Sequence, residues 1–301
     1  MKQKTIKHSF SLSGKGLHSG KFVTITCQPA KENEGIRFQR TDLEGQPIIE
    51  ALASNVGETN RGTFINNHGA EVKTIEHLMA ALASFGIYNI LIQADGEEVP
   101  ILTGSSQPFV DAIAAVGVAE LNAEQPVFQP TETITYTLED GAEIQICPAD
   151  KLSIEVLVDY KTKVLGQQRA CLNNINDFQK EIAPCRTFCF LHEIFPLIQL
   201  GLIKGGDVEN AIVYVEKDIC EEEKQAICRF FGKENIAVSE NGVLNTCKLF
   251  FDNEVARHKL LDVLGDITLI GRPLVGKIFA KYPGHTINTQ FAKLLLAKMA
   301  E

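Results

Sequence analysis

Asn253–Asp266 reads NEVARHKLLDVLGD. Its apolar residues Val255, Leu260, Leu261, Val263 and Leu264 recur at spacings of one to four, the pattern of a helix laid against a core. On such a helix His258 and Asp262 stand four apart and share a face, with an imidazole nitrogen above a carboxylate oxygen. Both side chains suit Zn²⁺ or a similar divalent ion. Lys259 lies one step round the helix. The same spacing also describes an ordinary surface His–Asp pair with a solvated lysine. A catalytic zinc takes three protein ligands, so the reading turns on a further histidine from elsewhere in the chain.

The best source is Val72–Phe85, VKTIEHLMAALASF, read as a helix entered through Thr74 and stopped by Gly86. Leu78, Met79, Ala81 and Leu82 are apolar, and Glu76 and His77 fall in the first turn. There the free N–H groups and the positive end of the helix favour carboxylates and anions. His77 is the best candidate for the missing ligand. Glu76, adjacent but on another face, reads either as a water-activating carboxylate or simply as a good first-turn residue. A third histidine, His18, sits in Ser13–Gly20, SGKGLHSG, a Gly-rich turn between strands. It is a candidate ligand or substrate contact, and equally a solvated turn residue.

Around these stretches the chain reads as two halves. The first has strands within Thr5–Gln28 and at Ile36–Gln39, Pro47–Ala51, Gly62–Ile65 and Asn89–Ala94, with a helix at Gln107–Val116 and an exposed turn at His68. Leu121–Pro130, carrying Pro126 and Pro130, reads as a linker. The second half has strands at Thr131–Leu138, Glu143–Pro148 and Ser153–Tyr160, a helix near Asn176–Ile182 and a strand-like run at Ala183–Phe190. A short helix at His192–Leu200 with Pro196 near its start, a flexible Gly201–Gly206 turn and a strand at Ala211–Val215 follow. Glu216–Asn235 reads as charged and exposed, and the chain closes with helix 254–264, strand 267–280 and helix 288–299. Helix, strand, loop, helix thus occurs once in each half, which points to two domains of related architecture with a pocket between them.

Composition sets the outer bounds. The 301 residues are 45% hydrophobic and 22% charged, ordinary for a globular chain and long enough for two domains. A net charge of −9 with no basic run argues against a nucleic-acid binder. Met1–Phe10 lacks the apolar stretch of a signal peptide, and no apolar run is long enough to span a bilayer. Eight cysteines without a CxxC pair fit a reduced, cytoplasmic chain with buried thiols.

Six motifs occur in order: Gly16-Leu17-His18-Ser19-Gly20, Thr74-Ile75-Glu76-His77-Leu78, Arg186-Thr187-Phe188-Cys189-Phe190, Gly201-Leu202 with Gly205-Gly206, Arg257-His258-Lys259 with Asp262, Gly265 and Asp266, and Gly284-His285 with Asn288. Together they resemble the zinc-dependent UDP-3-O-acyl-N-acetylglucosamine deacetylases of lipid A biosynthesis in Gram-negative bacteria, over essentially the whole chain. The resemblance implies an α+β fold of two domains, 1–125 and 126–301. Their helical layers pack together between outer sheets, and each domain carries a small insert near the site. It implies one Zn²⁺ held by His77, His258 and Asp262, with the fourth position open to water. Glu76 would then be the general base, His285 the general acid, and Asp266 the residue orienting His285. Lys259 and Thr187 would stabilise the anionic intermediate or hold the substrate. Phe188 would line the nucleotide-sugar side beside Leu17 and His18. Ile203, Gly206, Ala211 and Val213 would enclose the acyl chain within an insert at about 190–217. The implied partners are the nucleotide-sugar substrate and water, with a monomeric chain touching membrane at most peripherally.

Two departures from the family pattern stand out. Asp159-Tyr160-Lys161-Thr162-Lys163 lacks the His-Pro pair common after an acidic-aromatic dipeptide, and Cys189 stands where Gly is usual. Relatives fused to an acyl-carrier-protein dehydratase also exist. Rival readings are another zinc amidohydrolase acting on an N-acetylated sugar, and a nucleotide-sugar-binding relative without catalysis.

Overall fold

The computed structural model describes all residues except 68, 201–202, 245–247 and 301, and the backbone but not the side chain of Gln199. The first half runs β1 (Lys2–Ile6), β2 (Phe10–Lys15), β3 (Phe22–Pro29), β4 (Ile36–Arg40), β5 (Ile48–Glu50), β6 (Ile65–Asn67) and β7 (Ala70–Val72). It continues with α1 (Glu76–Phe85), β8 (Ile90–Ala94), α2 (Gln107–Val116) and β9 (Val118–Glu124). The second half opens with β10 (Ile134–Thr137), β11 (Glu143–Cys147), β12 (Ser153–Asp159), β13 (Gln167–Leu172) and the single-turn α3 (Phe178–Glu181). Then come β14 (Phe188–Phe190), α4 (Leu191–Gln199), β15 (Ile212–Tyr214), α5 (Glu221–Phe231), α6 (Glu254–Ile267), β16 (Lys277–Lys281) and α7 (His285–Ala300).

The two main sheets have one topology. Their orders are β2-β3-β8-β4-β5 and β10-β11-β16-β12-β13. In each, the strand that follows the central helix inserts into the middle, antiparallel to one neighbour and parallel to the other. β4 and β8 alternate buried and half-buried residues, as strands do when one face is covered. The α+β class and the repeated architecture therefore stand as the sequence implied.

Between the sheets lie α1 and α6, both buried nearly all round, α6 despite burying Glu254, His258, Asp262 and Asp266. They cross with their backbones in contact: a Cβ at Gly265 would lie 2.2 Å from the Glu76 carbonyl oxygen. Only glycine permits that approach, and it brings His77 and Asp262 to one place. A second apolar cluster is built by the segment from β14 to α5 and the residues after it, from Leu191, Ile194, Val208, Val213, Ile227, Ile236 and Leu244. This insert docks on the first half through Gly205, whose N–H donates to the Leu17 carbonyl at 3.2 Å. A Cβ there would lie 1.9 Å from the Gly16 oxygen, so Gly205 serves a close approach rather than flexibility.

Several elements differ from the sequence expectations. The supposed strand 267–280 is the end of α6, a 3₁₀ turn at Thr268–Ile270 and only then β16. Ile267–Ile270 is a short buried apolar run, and such runs do not distinguish helix from strand by period. Thr74 does not cap α1: it has φ 57°, and its hydroxyl donates to Glu98 at 3.0 Å. The stretch taken as charged and exposed contains α5, an amphipathic helix that buries Ile227. The expected linker begins inside β9, which pairs with β1. The expected strand at Gly62–Ile65 reduces to β6 starting at Ile65, Pro196 lies inside α4, and α7 starts at His285 rather than 288. His68, Gly201 and Leu202 lie outside the described residues.

Candidate active site

His77 projects from the first turn of α1, and His258 and Asp262 project from α6. Their ligand-type atoms all lie within 4.8 Å of one another, and all three residues are buried. His258 Nδ1 is 3.1 Å from the Cys185 carbonyl, which can only accept, so Nδ1 carries the proton and Nε2 faces the cluster. Asp262 Oδ1 is 3.5 Å from that Nε2 and 3.9 Å from His77 Nε2. It is buried without a hydrogen-bond partner among the described residues, a costly state for a carboxylate oxygen.

Protonation sharpens the point. Burial and the neighbouring His258 push His77 down to about 3, and burial likewise depresses His258. Burial works against ionised Asp262, but Lys259 and the imidazoles outweigh it and hold the carboxyl well below its usual range. At neutral pH the cluster is two neutral imidazoles and a carboxylate aimed at one point. That donor set fits a divalent cation of borderline hardness, which would also satisfy Asp262 Oδ1.

Beside it stand Glu76 and His285. Glu76 Oε2 accepts from the Thr63 backbone N–H at 3.0 Å, and its Oε1 is 4.0 Å from His285 Nε2. Burial lifts Glu76 to about 7 despite the opposing pull of His285. His285 Nδ1 donates to Asp266 Oδ2 at 3.0 Å. Burial opposes the charge on His285, but Asp266, Asp262 and Glu76 carry it up to about 9. Lys259 Nζ donates to Asp262 Oδ2 at 2.8 Å and lies 5.8 Å over the Phe188 ring.

All of this opens into a cavity of about 530 Å³. Leu17, His18, Thr187 and Phe188 line it, and Ile203, Gly206, Ala211 and Val213 add largely apolar lining from the insert. The chain matches the family described as LpxC: UDP-3-O-acyl N-acetylglycosamine deacetylase over residues 3–229 and 231–297. It belongs to that family. It is 47% identical over 97% of its length to the bifunctional enzyme LpxC/FabZ of Bacteroides thetaiotaomicron, and spans 64% of that relative. The UDP-3-O-acyl-N-acetylglucosamine deacetylase of Thermosynechococcus vestitus is 38% identical, covering 97% of this chain and 93% of the relative. That of Myxococcus xanthus is 36% identical, with 98% and 86% covered.

The structure thus gathers every site residue singled out in the sequence. Fourteen of the fifteen line the cavity, and Asp266 lies behind His285. Thr187 is held by its backbone, its N–H donating to Gly104 at 2.7 Å and its carbonyl accepting from Ile212 at 2.8 Å. His18 packs edge-on against Phe64, its backbone N–H donating to Glu98, while Nε2 has no partner among the described residues.

Several cavity residues escaped sequence reasoning. Tyr160, in the segment that departs from the family pattern, lines the cavity with its ring 5.2 Å edge-on to Phe188. Phe231, at the end of the overlooked α5, lines the cavity, as do Cys189, Ile194 and Leu197. The helical spacing Ile227–Phe231 was the signal available for it. Arg61 and Glu193, both lining the cavity, pair at 3.6 Å and join two segments with no motif in common.

Proposed function

We propose that this chain hydrolyses the N-acetyl group of UDP-3-O-(3-hydroxyacyl)-N-acetylglucosamine, releasing acetate, as a zinc-dependent step of lipid A biosynthesis in a Gram-negative cytoplasm. The observation that carries the reading is the partnerless Oδ1 of Asp262, buried among two imidazoles and flanked by Glu76 and His285. A mere binding protein needs neither a base nor an acid beside a metal cluster. The apolar lining contributed by the insert supports an acylated substrate over a plain N-acetyl sugar.

His77, His258 and Asp262 would hold the ion. When bound, it supplies Lewis acidity toward the amide carbonyl and offsets the charge that develops on its oxygen. Glu76, poised near neutrality, takes a proton from the attacking water at its carboxylate. Lys259 and Thr187, which both line the cavity, would offer the anionic oxygen an ammonium and a hydroxyl. His285, protonated at neutral pH, gives its Nε2 proton to the departing amine as the C–N bond breaks. Asp266 holds Nδ1 and stabilises the imidazolium. Phe188, Leu17 and His18 would contact the nucleotide sugar. The reading also takes the chain as a monomer divided at 125/126, with one ion per chain and at most peripheral membrane contact. No helix among the described residues is long and apolar enough to cross a membrane.

Incubation with UDP-N-acetylglucosamine, acylated and unacylated, tests the proposal. Acetate released from the acylated substrate, and lost on chelation, is the expected result. Release from the unacylated sugar at an equal rate would favour a different amidohydrolase.

A further inference from the structure

Thr63 carries no motif and lies in the irregular segment before β6, yet it is fully buried and touches both sides of the catalytic cleft. Its backbone N–H donates to Glu76 Oε2 at 3.0 Å, and its carbonyl accepts from Ile75, the residue before α1, at 3.3 Å. Its hydroxyl donates to Asp266 Oδ1 and lies 3.2 Å from His285 Nδ1. Asp266 Oδ2 accepts from His285 Nδ1 at 3.0 Å and from Asn288 Nδ2 at 2.9 Å. The carboxylate is thereby fixed at both oxygens, one from α7 and one from the first half of the chain.

We infer that Thr63 is a positioning residue that sets the base and the acid at their mutual distance. The inference rests on the proposed roles of Glu76 and His285. One residue supplies a hydrogen bond to the Glu76 carboxylate from its backbone and to the Asp266 carboxylate from its side chain. Glu76 belongs to α1 and Asp266 to α6, so the two elements cannot shift without straining bonds to Thr63. Asp266 in turn fixes the His285 ring, whose Nε2 stands 4.0 Å from Glu76 Oε1. Without the hydroxyl, Asp266 Oδ1 loses its donor, the carboxylate turns about its χ2, and the imidazole follows. Partners of this kind, one step behind the reacting groups, are worth about 10- to 100-fold in activity.

The test contrasts Thr63→Val, which keeps shape and removes the hydroxyl, with Thr63→Ser, which keeps the hydroxyl and removes a methyl. Thr63→Ala stands in should the valine variant fail to fold. In the metal-loaded protein, Val should lower kcat about 10- to 100-fold with little change in KM, and Ser should restore most of it. Metal content should be unchanged in both. By NMR, the His285 Nδ1–H proton should exchange with solvent faster in the valine variant than in wild type or the serine variant. Equal losses in Val and Ser, a loss confined to KM, or unchanged turnover in Val would overturn the inference. Faster Nδ1–H exchange in Val, in a protein that releases no acetate from any substrate, would uphold the positioning and sink the proposed reaction.

Discussion

Glu76 and His285 are two titrating groups 4.0 Å apart, and each has its proton affinity raised for a different reason. Burial dominates for the carboxyl. For the imidazole, burial is outweighed by three carboxylates. A base must be unprotonated and an acid protonated, so with Glu76 as base and His285 as acid kcat should fall below about 7 as Glu76 takes up its proton. It should fall again above about 9 as His285 loses its own. A bound cation lowers both affinities and moves the window toward acid. Glu76→Ala should keep its metal and lose on the order of 10²–10⁴-fold in kcat. His285→Ala should keep its metal and flatten the alkaline limb, read from kcat against pH. Loss of metal from Glu76→Ala would mean that ligand and base are exchanged. The His258–Asp262 spacing was legible because both lie on one helix, and His77 because a polar pair heads a buried one. Thr63 was not, since its partner Asp266 is 203 residues away and nothing local distinguishes a buried threonine.

At the scale of elements, the α1–α6 crossing is the most exacting feature. Gly265→Ala would place a Cβ 2.2 Å from the Glu76 carbonyl oxygen, which is backbone and cannot swing aside. The helices must part, at about 1–3 kcal/mol for overpacking. Glu76 and His77 move with α1, and a shift of about 1 Å can lower turnover by about 10²-fold. Melting temperature and kcat should therefore both fall, and a variant with wild-type turnover would show that the crossing does not set the site. The insert makes a different demand, on the substrate. If its apolar lining holds the acyl chain, each buried methylene contributes about 0.8 kcal/mol, so four fewer carbons cost roughly 3 kcal/mol, or about 200-fold in kcat/KM. A bulkier residue at Ala211 should shift preference to shorter chains, and Phe231→Ala to longer ones. A flat profile from acetyl to long acyl would mean that these apolar residues only pack the insert. Ile203, Gly206, Ala211 and Val213 were legible only through the family resemblance, because an unbroken apolar run such as Ala211–Val213 does not by itself tell cavity from core. Phe231 was hidden because acidic residues at the start of α5 made the whole stretch look exposed.

The two main sheets and their central helices repeat one architecture, and the halves meet where His77, His258 and Asp262 cluster. That repeat was visible as helix, strand, helix in each half, but its strand order was not, because insertion of β8 and β16 at mid-sheet depends on non-local pairing. His77 comes from the first half and His258 and Asp262 from the second, so an ion bound by all three fastens one half to the other. Direct links across the same boundary include Thr59 to Thr286 at 2.8 Å and Thr63 to Asp266. These persist without metal, so the metal-free chain should fold and be less stable rather than collapse. An ion present at about 100 times its Kd adds roughly 2.7 kcal/mol to the folded state. At about 1.6 °C per kcal/mol for a chain of this size, chelation should lower the melting temperature by roughly 4 °C. His258→Ala and Asp262→Ala should contain no tightly held zinc, lack activity and melt at a temperature that a chelator does not move. The comparison of wild type with these variants, each with and without chelator, separates the ion's contribution from that of the side chains. A wild-type melting temperature indifferent to chelation would mean that the ion does not join the halves, whatever it does in the reaction.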